Sequence, residues 1–446
     1  MKQSLDTPWQ KWFPTVVVAV WVLTPEVRRL IDWQLGFNSL NVISLIPIAV
    51  LLPAGAIILA RKRLHLSRDF GIVVILWSVG FLYAFLVACL SGGVFGGTYE
   101  LMLFCAPLLI GLWLTTMDSA AARRVFDRFA RAALWLGLVT SVYGIFQFIA
   151  PPPWDVVWVD NSGLVSIGQP VPFGLRIFGT MNSPGVLSDF LAMSILLTLY
   201  RLKRNTGWLL VPMFLSTTGL ALTFGRTGWL ELAVGCAVYV ALSPKRAAAL
   251  ATIVGAFLLT LGLAANLSAI TGDSTSNNAV ISRISTFGDI TEDDSALDRQ
   301  RQSSIALRQA ASEPLGQGLG TEGTATKLSA SGSTTVLDNG YLTRLLEMGD
   351  FGFALYIASL LGGLVISFAR LPAAYAARER DSAAAPLIAT AIAIQVALLG
   401  ADLSGDHHSA LMAVVFWLVL GLVSTMPRER AASELGFNLS GRAIRT

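Results

Sequence analysis

The sequence predicts an all-α polytopic membrane protein of about 12 transmembrane helices, with one large extramembrane loop that carries short helices of its own. Three observations predict it. The chain is 54% hydrophobic and only 13% charged, against about 25% charged in an average soluble domain, and its mean hydropathy is +0.64. Apolar segments recur at the length a bilayer demands, roughly 20 residues for a hydrocarbon core about 30 Å thick. Finally, 22 of the 32 Lys and Arg residues fall on one side of the resulting ladder, which is the bias that marks cytoplasmic loops.

Taken in order, the predicted spans are 12–25, 41–60, 70–90, 99–117, 132–150, 184–200, 207–224, 227–242, 248–267, 351–369, 386–402 and 409–426. The first is short and stops at Pro25-Glu26. It lacks a small-residue cleavage site and reads as a retained anchor. An even number of spans puts both termini on one side, and the charge bias makes that side cytoplasmic. The chain then divides into nine spans over 1–267, a large outer loop over 268–350, three spans over 351–426 and a cytoplasmic tail over 427–446. No internal repeat stands out.

Two outer loops are long. The first, 151–183, opens with Pro151-Pro152-Pro153-Trp154 and carries Trp158, aromatics that suit a membrane interface. The second begins with a flexible polar run, Ser274 to Asn278. Asp294-Ser295-Ala296-Leu297-Asp298 resembles a capping box that opens a helix through Ser312. Glu313-Pro314 ends it, and Gly316, Gly318 and Gly320 make a tight loop. A second helix is predicted from Asp338 to Met348, with Gly349 as its stop.

Composition also excludes function classes. The basic residues are scattered over short loops, so a nucleic-acid surface is not expected. Cys89, Cys105 and Cys236 each lie in an apolar segment and read as small hydrophobes. Three histidines without HExxH or a carboxylate cluster make a metal site unexpected.

The informative residues are the ten basic side chains on the outer side: Arg28, Arg29, Arg176, Arg226, Arg283, Arg299, Arg301, Arg308, Lys327 and Arg344. Arginine placed against the topology signal suggests an anionic ligand, because guanidinium matches phosphate oxygens bidentately. The alternative for each is a solvated or snorkelling charge. Arg226 sits in Phe224-Gly225-Arg226-Thr227-Gly228, a hairpin of almost no length, where an arginine near hydrocarbon costs about 2.5–3.5 kcal/mol at a helix centre and less near its end. Asp189 and Glu231 lie within neighbouring segments and either pair with these arginines or form a structural ion pair. Arg301 and Arg308, seven apart, share a helical face. Asp338 and Tyr341 share another with Leu342 and Leu345, so Asp338 is either a base or an N-cap. Glu347 closes that motif, and Asp402, Asp406, His407 and His408 form a second source of acid or base. The Gly316–Gly320 run follows a helix and not a strand, so it lacks the setting of a nucleotide-binding loop.

Five motifs occur in order: Arg-x-Phe-Gly-Thr at Arg176–Thr180, Gly-Arg-x-Gly at Gly225–Gly228, Ser295 with Arg299, Pro-Leu-Gly-x-Gly-Leu-Gly at Pro314–Gly320, and Asp-Asn-x-Tyr-Leu…Glu-x-Gly at Asp338–Gly349. In this order the chain resembles the O-antigen ligase and polysaccharide polymerase superfamily over roughly residues 170–360. The resemblance implies glycosyl transfer on the periplasmic face of a bacterial inner membrane, without metal or cofactor, from an undecaprenyl-diphosphate-linked glycan donor to an acceptor. It implies that Arg176, Arg226 and Arg299 lie on the diphosphate side, joined by Arg283, Tyr341 and Arg344 at the substrate, with Asp189, Glu231 and Glu347 in support and Asp338, Arg226 and Arg176 at the chemistry. Membrane lipids, a flippase and a chain-length regulator are the partners it implies. One departure matters. Ligases of this family carry a histidine about where this chain has Asp338, which favours the polymerase branch, with ligase as the alternative. A transporter is the competing class. It predicts ionisable or broken helices at the bilayer midplane, whereas Asp189 and Glu231 enter their spans towards the outer side, with Gln395 in another.

The charge bias makes a direct prediction. A cysteine at Ser331 should react with a membrane-impermeant thiol reagent in intact cells, and one at the C-terminus only after the cytoplasm is opened. Labelling of Ser331→Cys only after opening would invert the topology.

Overall fold

The computed structural model describes residues 8–38, 41–61, 66–163, 167–201, 207–243, 294–322, 337–377, 379 and 381–427. Among these the chain is helical throughout, with no strand beyond an isolated bridge between Gly168 and Leu175. The helices are α1 (Pro8–Leu35), α2 (Leu52–Arg61), α3 (Arg68–Leu90), α4 (Val94–Cys105), α5 (Leu108–Leu114), α6 (Ser119–Ile149), α7 (Pro153–Ser162), α8 (Pro184–Leu196), α9 (Leu210–Leu222), α10 (Arg226–Leu242), α11 (Asp294–Ser312), α12 (Gly340–Ala376), α13 (Ala384–Ala401) and α14 (Ala410–Ser424). The chain forms two compact units: Met1–Val50, Asp127–Cys236 and Lys245–Leu297 in the first, Leu51–Phe126, Ala237–Pro244 and Asp298–Thr446 in the second.

Helix starts follow local chemistry. Ser67 accepts the Phe70 N–H at the head of α3 (3.4 Å), with Asp69 in the first turn. Ser183 accepts the Val186 N–H at the head of α8, whose first residue is Pro184. Such caps satisfy amides that a helix N-terminus leaves open. In the second unit α12 packs along α3 and against α13, while α14 packs on α5. Trp77 of α3 lies at the centre of that packing, fully buried and in ring contact with Phe81, Phe104, Tyr356, Phe416 and Trp417. In the first unit α9 packs on α8 and α7 on α1.

Every predicted span except 248–267 falls on helix, and that one lies outside the described residues, as do Ser274–Asn278 and the tail beyond residue 427. Six helical stretches among the described residues are long and apolar enough to cross a membrane: 42–60, 68–90, 94–114, 119–149, 340–376 and 384–401. Others are apolar but short, such as α8 at 13 residues and α14 at 15, below the roughly 20 that a perpendicular crossing needs. The 99–117 segment is two helices, α4 and α5, broken at Ala106-Pro107, because proline lacks an N–H and clashes with the preceding turn.

Two expectations for the large loop are corrected. Asp338 does not cap the helix that follows. Asn339 does, its amide oxygen accepting the Leu342 N–H at 3.1 Å, and asparagine caps as well as aspartate. Gly349 does not end that helix either. It kinks it (φ 59°, ψ −177°), and α12 runs on into the predicted span that begins at 351. The helix over 294–312 ends at Ser312 as expected.

The glycine loop is held by backbone hydrogen bonds to two helices. Gln317 and Gly318 donate backbone N–H groups to the Leu346 and Glu347 carbonyls (2.9 and 3.1 Å), Leu319 donates to the Ala84 carbonyl (3.0 Å), and Asp350 donates to the Pro314 carbonyl (3.0 Å). The loop thus laces α12 to α3. At Gly320, with φ 83°, an added Cβ would lie 2.4 Å from the Gly96 carbonyl carbon. Gly320→Ala should therefore cost at least about 1–3 kcal/mol and lower the melting temperature of the purified protein. An unchanged melting temperature would show that the loop is not clamped there.

Candidate functional site

The second unit holds a buried charge cluster around Arg344, a fully buried side chain on α12. Its Nη1 lies 2.6 Å from Glu347 Oε2 and its Nη2 3.1 Å from Asp406 Oδ2. The guanidinium sits 4.5 Å from the centroid of the Phe104 ring, a favourable cation–π arrangement. Glu347, one helical turn on, turns its other oxygen to the glycine loop, where Oε1 accepts the N–H groups of Gly320 (2.9 Å) and Glu322 (3.1 Å). Glu100 of α4 is buried and acts electrostatically on Arg344, as does Glu322. Four carboxyls therefore surround one guanidinium.

Two of these acids lie outside the spans and have perturbed titration. Burial pushes the Glu322 carboxyl up to about 7, with Arg344 pulling the other way. Glu322 is 4% exposed, and its Oε2 has no hydrogen-bond partner. Burial likewise raises Asp406 above the usual carboxylate range, opposed by Arg344.

Beside this cluster, Asp402 gathers a second set of donors. Its Oδ2 takes the Tyr356 hydroxyl at 3.1 Å and stands 2.6 Å from His408 Nδ1, and its Oδ1 takes the His407 N–H at 2.8 Å. His408 Nε2 is buried without a hydrogen-bond partner. The turn at 402–406 is tied to the start of α12, since the Gly340 N–H donates to the Asp402 carbonyl at 2.8 Å. The Tyr341 hydroxyl, expected to face a substrate, donates to the Leu399 carbonyl at 2.6 Å.

The first unit holds the other arginines. Arg29, 1% exposed, ion-pairs with Asp155 (2.8 Å) and Glu26 and donates to the Gly179 (2.6 Å) and Met181 carbonyls. Asp155 also accepts from Tyr143 (2.7 Å) and Gln147 (2.6 Å), and Gln147 Oε1 accepts the Phe178 and Gly179 N–H groups. Burial raises the Asp155 carboxyl and Arg29 draws it back down. This network pins the Arg176–Thr180 motif. Arg176 itself, half-buried, donates to the Thr223 (2.9 Å) and Phe224 (3.2 Å) carbonyls, the orphaned acceptors at the end of α9. The first motif thereby fastens the second. Gly228 permits it, since a Cβ there would come 2.7 Å from Ser188 Cβ of α8. Arg226 is exposed as the first residue of α10, where the helix dipole also favours anions. Asp189 and Glu231 are buried on α8 and α10, their carboxylate oxygens within 4.8 Å of each other.

Several predicted residues resolve differently. Arg344 is not an open outer arginine but the buried centre of the second unit's charge cluster. Its neighbours on α12, Glu347 and Asp406 on the 402–406 turn, supply the carboxylates that make burial tolerable. Asp338 is exposed, in a shallow cleft with Gln302 and Ser303. Arg301 and Arg308 are exposed on α11. Arg299 lies on the same helix with its side chain outside the described residues, and Arg283 and Lys327 lie outside them altogether. Sequence reasoning missed Glu100 and Glu322. A lone glutamate in an apolar helix and another just past a glycine loop carry no spacing signal.

The apolar helices and buried ion clusters define a multi-pass helical membrane protein. Residues 211–357 match the family model described as O-antigen ligase. Four of the five motifs fall within the match, and the Arg176–Thr180 motif precedes it. No curated protein matches the chain.

Glu322 offers a pH test. Its folded value near 7 stands above the usual 4.5, so between these values the folded state holds a proton that the unfolded state has lost. Stability should fall as pH rises through that window and level off above it, by on the order of 1–3 kcal/mol. Glu322→Gln should flatten the profile of melting temperature against pH and match or exceed the wild type at pH 8. An unchanged slope would place the proton elsewhere.

Proposed function

We propose that the chain is a glycosyltransferase of the periplasmic face of a bacterial inner membrane, which polymerises undecaprenyl-diphosphate-linked oligosaccharide repeat units into an exopolysaccharide, capsule or O-antigen. The observation that carries this reading is the match of 211–357 to the O-antigen ligase family model. Asp338 in place of the ligases' histidine supports the polymerase branch. The description of that family as O-antigen ligase supports the second reading, a ligase that transfers a finished polysaccharide from undecaprenyl diphosphate to lipid A-core. A flippase and a chain-length regulator of the same pathway are the protein partners this function would need.

In the proposed reaction an acceptor hydroxyl attacks the anomeric carbon of the donor. The bond from that carbon to the diphosphate oxygen breaks, undecaprenyl diphosphate leaves with the electron pair, and the hydroxyl proton passes to a base, with inversion. Negative charge grows on the leaving diphosphate, and a preorganised arginine lowers the barrier most where charge develops. Arg226 has that role here. Arg176 positions it by holding the end of α9, and Asp189 and Glu231 support the same hairpin; Arg283 and Arg299 are further diphosphate-side arginines on the resemblance. For the base there are two candidates, the exposed Asp338 and Glu322, whose carboxyl burial raises to about 7, near the operating pH at which a base works best.

Arg226→Ala should abolish polymer formation by protein that still inserts, and Arg226→Lys should keep partial activity, since lysine retains the charge without the bidentate fork. Wild-type polymer from Arg226→Ala would remove this residue from the site. For the base, Glu322→Gln should slow in vitro polymerisation by about 10²–10⁴-fold, and Asp338→Asn by only a few-fold. The reverse ranking would return the base role to Asp338.

A further inference from the structure

The first unit contains an open groove of about 670 Å³ between α1 and α6, distant in sequence from every motif used above. Its mouth carries Lys11, Arg128 and Arg131, and among the described residues no carboxylate lines it. The acid nearest in sequence, Asp127, is engaged by the Tyr200 hydroxyl and by Arg201 at 3.8 Å. The groove changes character along its length in a matched way. On α1 it runs from Lys11 past Thr15 to Ala19, and on α6 from Arg128 past Ala132 to Leu136. Each run covers eight residue steps, about 12 Å of helix, and passes from cation to apolar surface in the same chain direction.

Two tryptophans mark the transition. Trp12 is 68% exposed and Trp135 47% exposed, and Trp135 stacks on Trp208 with ring centroids 6.2 Å apart. Indole rings favour the headgroup level of a bilayer, and α6 belongs to a stretch apolar enough to span it. A cationic mouth, an aromatic collar and an apolar floor are the complement of one lipid: phosphate above, acyl chain below. Clusters of basic residues at a membrane boundary bind anionic headgroups by the same logic.

We propose that this groove is a binding site for an anionic phospholipid, with the headgroup phosphate among Lys11, Arg128 and Arg131 and an acyl chain along Ala19, Ala132 and Leu136. The site is separate from the proposed chemistry and does not depend on it. The zwitterionic lipid of the same chain length carries the same tail but adds a cation at the mouth, so it should bind less well.

The test is native mass spectrometry of the delipidated full chain titrated with phosphatidylglycerol or phosphatidylcholine. Phosphatidylglycerol should be retained preferentially. The paired change Arg128→Gln and Arg131→Gln should weaken its binding by on the order of 25-fold, at about fivefold per basic residue removed, and Arg124→Gln on the same helix should not. Ala19→Trp, which fills the floor and leaves the charges, should weaken binding of both lipids and serves if the paired variant fails to fold. Equal retention of the two lipids, or undiminished preference in the paired variant, would overturn the proposal. So would inorganic phosphate that displaces the lipid at equal concentration, since it would reduce the groove to a simple anion site.

Discussion

The ion pairing of Arg344 is the constraint on which the second unit depends. A guanidinium that is fully buried needs partners in good geometry, since the loss of water costs several kcal/mol per ion. Glu347 and Asp406 supply them. Glu347 can do so because it is one helical turn away, and its second oxygen then orders the glycine loop through two backbone amides. Asp406 can do so because the turn carrying it is fixed to the start of α12 by Gly340, while Tyr341 ties the same point to the end of α13. One cation therefore coordinates three segments that are far apart in sequence. Burial also raises the Glu322 carboxyl beside it to about 7, against the pull of this same guanidinium.

The same principle separates the outer arginines into kinds that the sequence does not distinguish. Arg29 and Arg344 are buried and bind carboxylates of the protein itself. Arg176 is intermediate and serves the backbone carbonyls that end α9. Arg226, Arg301 and Arg308 are exposed. A topology rule identifies all of them as costly, but only the folded neighbourhood says whether the compensating anion is internal or a ligand.

Much of the fold was readable in the sequence because membrane helices are constrained by length and hydropathy, and both are local. Caps and breaks were readable wherever one residue decides them, as at Ser312. They failed where two neighbours compete, as Asn339 did with Asp338, or where tertiary lacing lets a helix continue through a kink, as at Gly349. The motif order pointed to the family whose model matches 211–357. The charge cluster was only half readable. Asp402, Asp406, His407 and His408 attract notice as a run, whereas Glu100 and Glu322 acquire meaning only from the folded chain around Arg344.

The motifs prove to have a shared mechanical logic. Arg176 fastens the hairpin of Arg226, and the glycine loop fastens the helix that bears Arg344 and Glu347. Rigid placement of cations and one protonatable acid is what transfer from a lipid diphosphate would require, with charge growing on the leaving group and a proton to accept. The most direct measurement of that account is the composition of lipid-linked glycans in a strain lacking this chain. Accumulation of single repeat units on undecaprenyl diphosphate is the predicted result. Full-length polysaccharide stranded on undecaprenyl diphosphate would contradict it and make the chain a ligase.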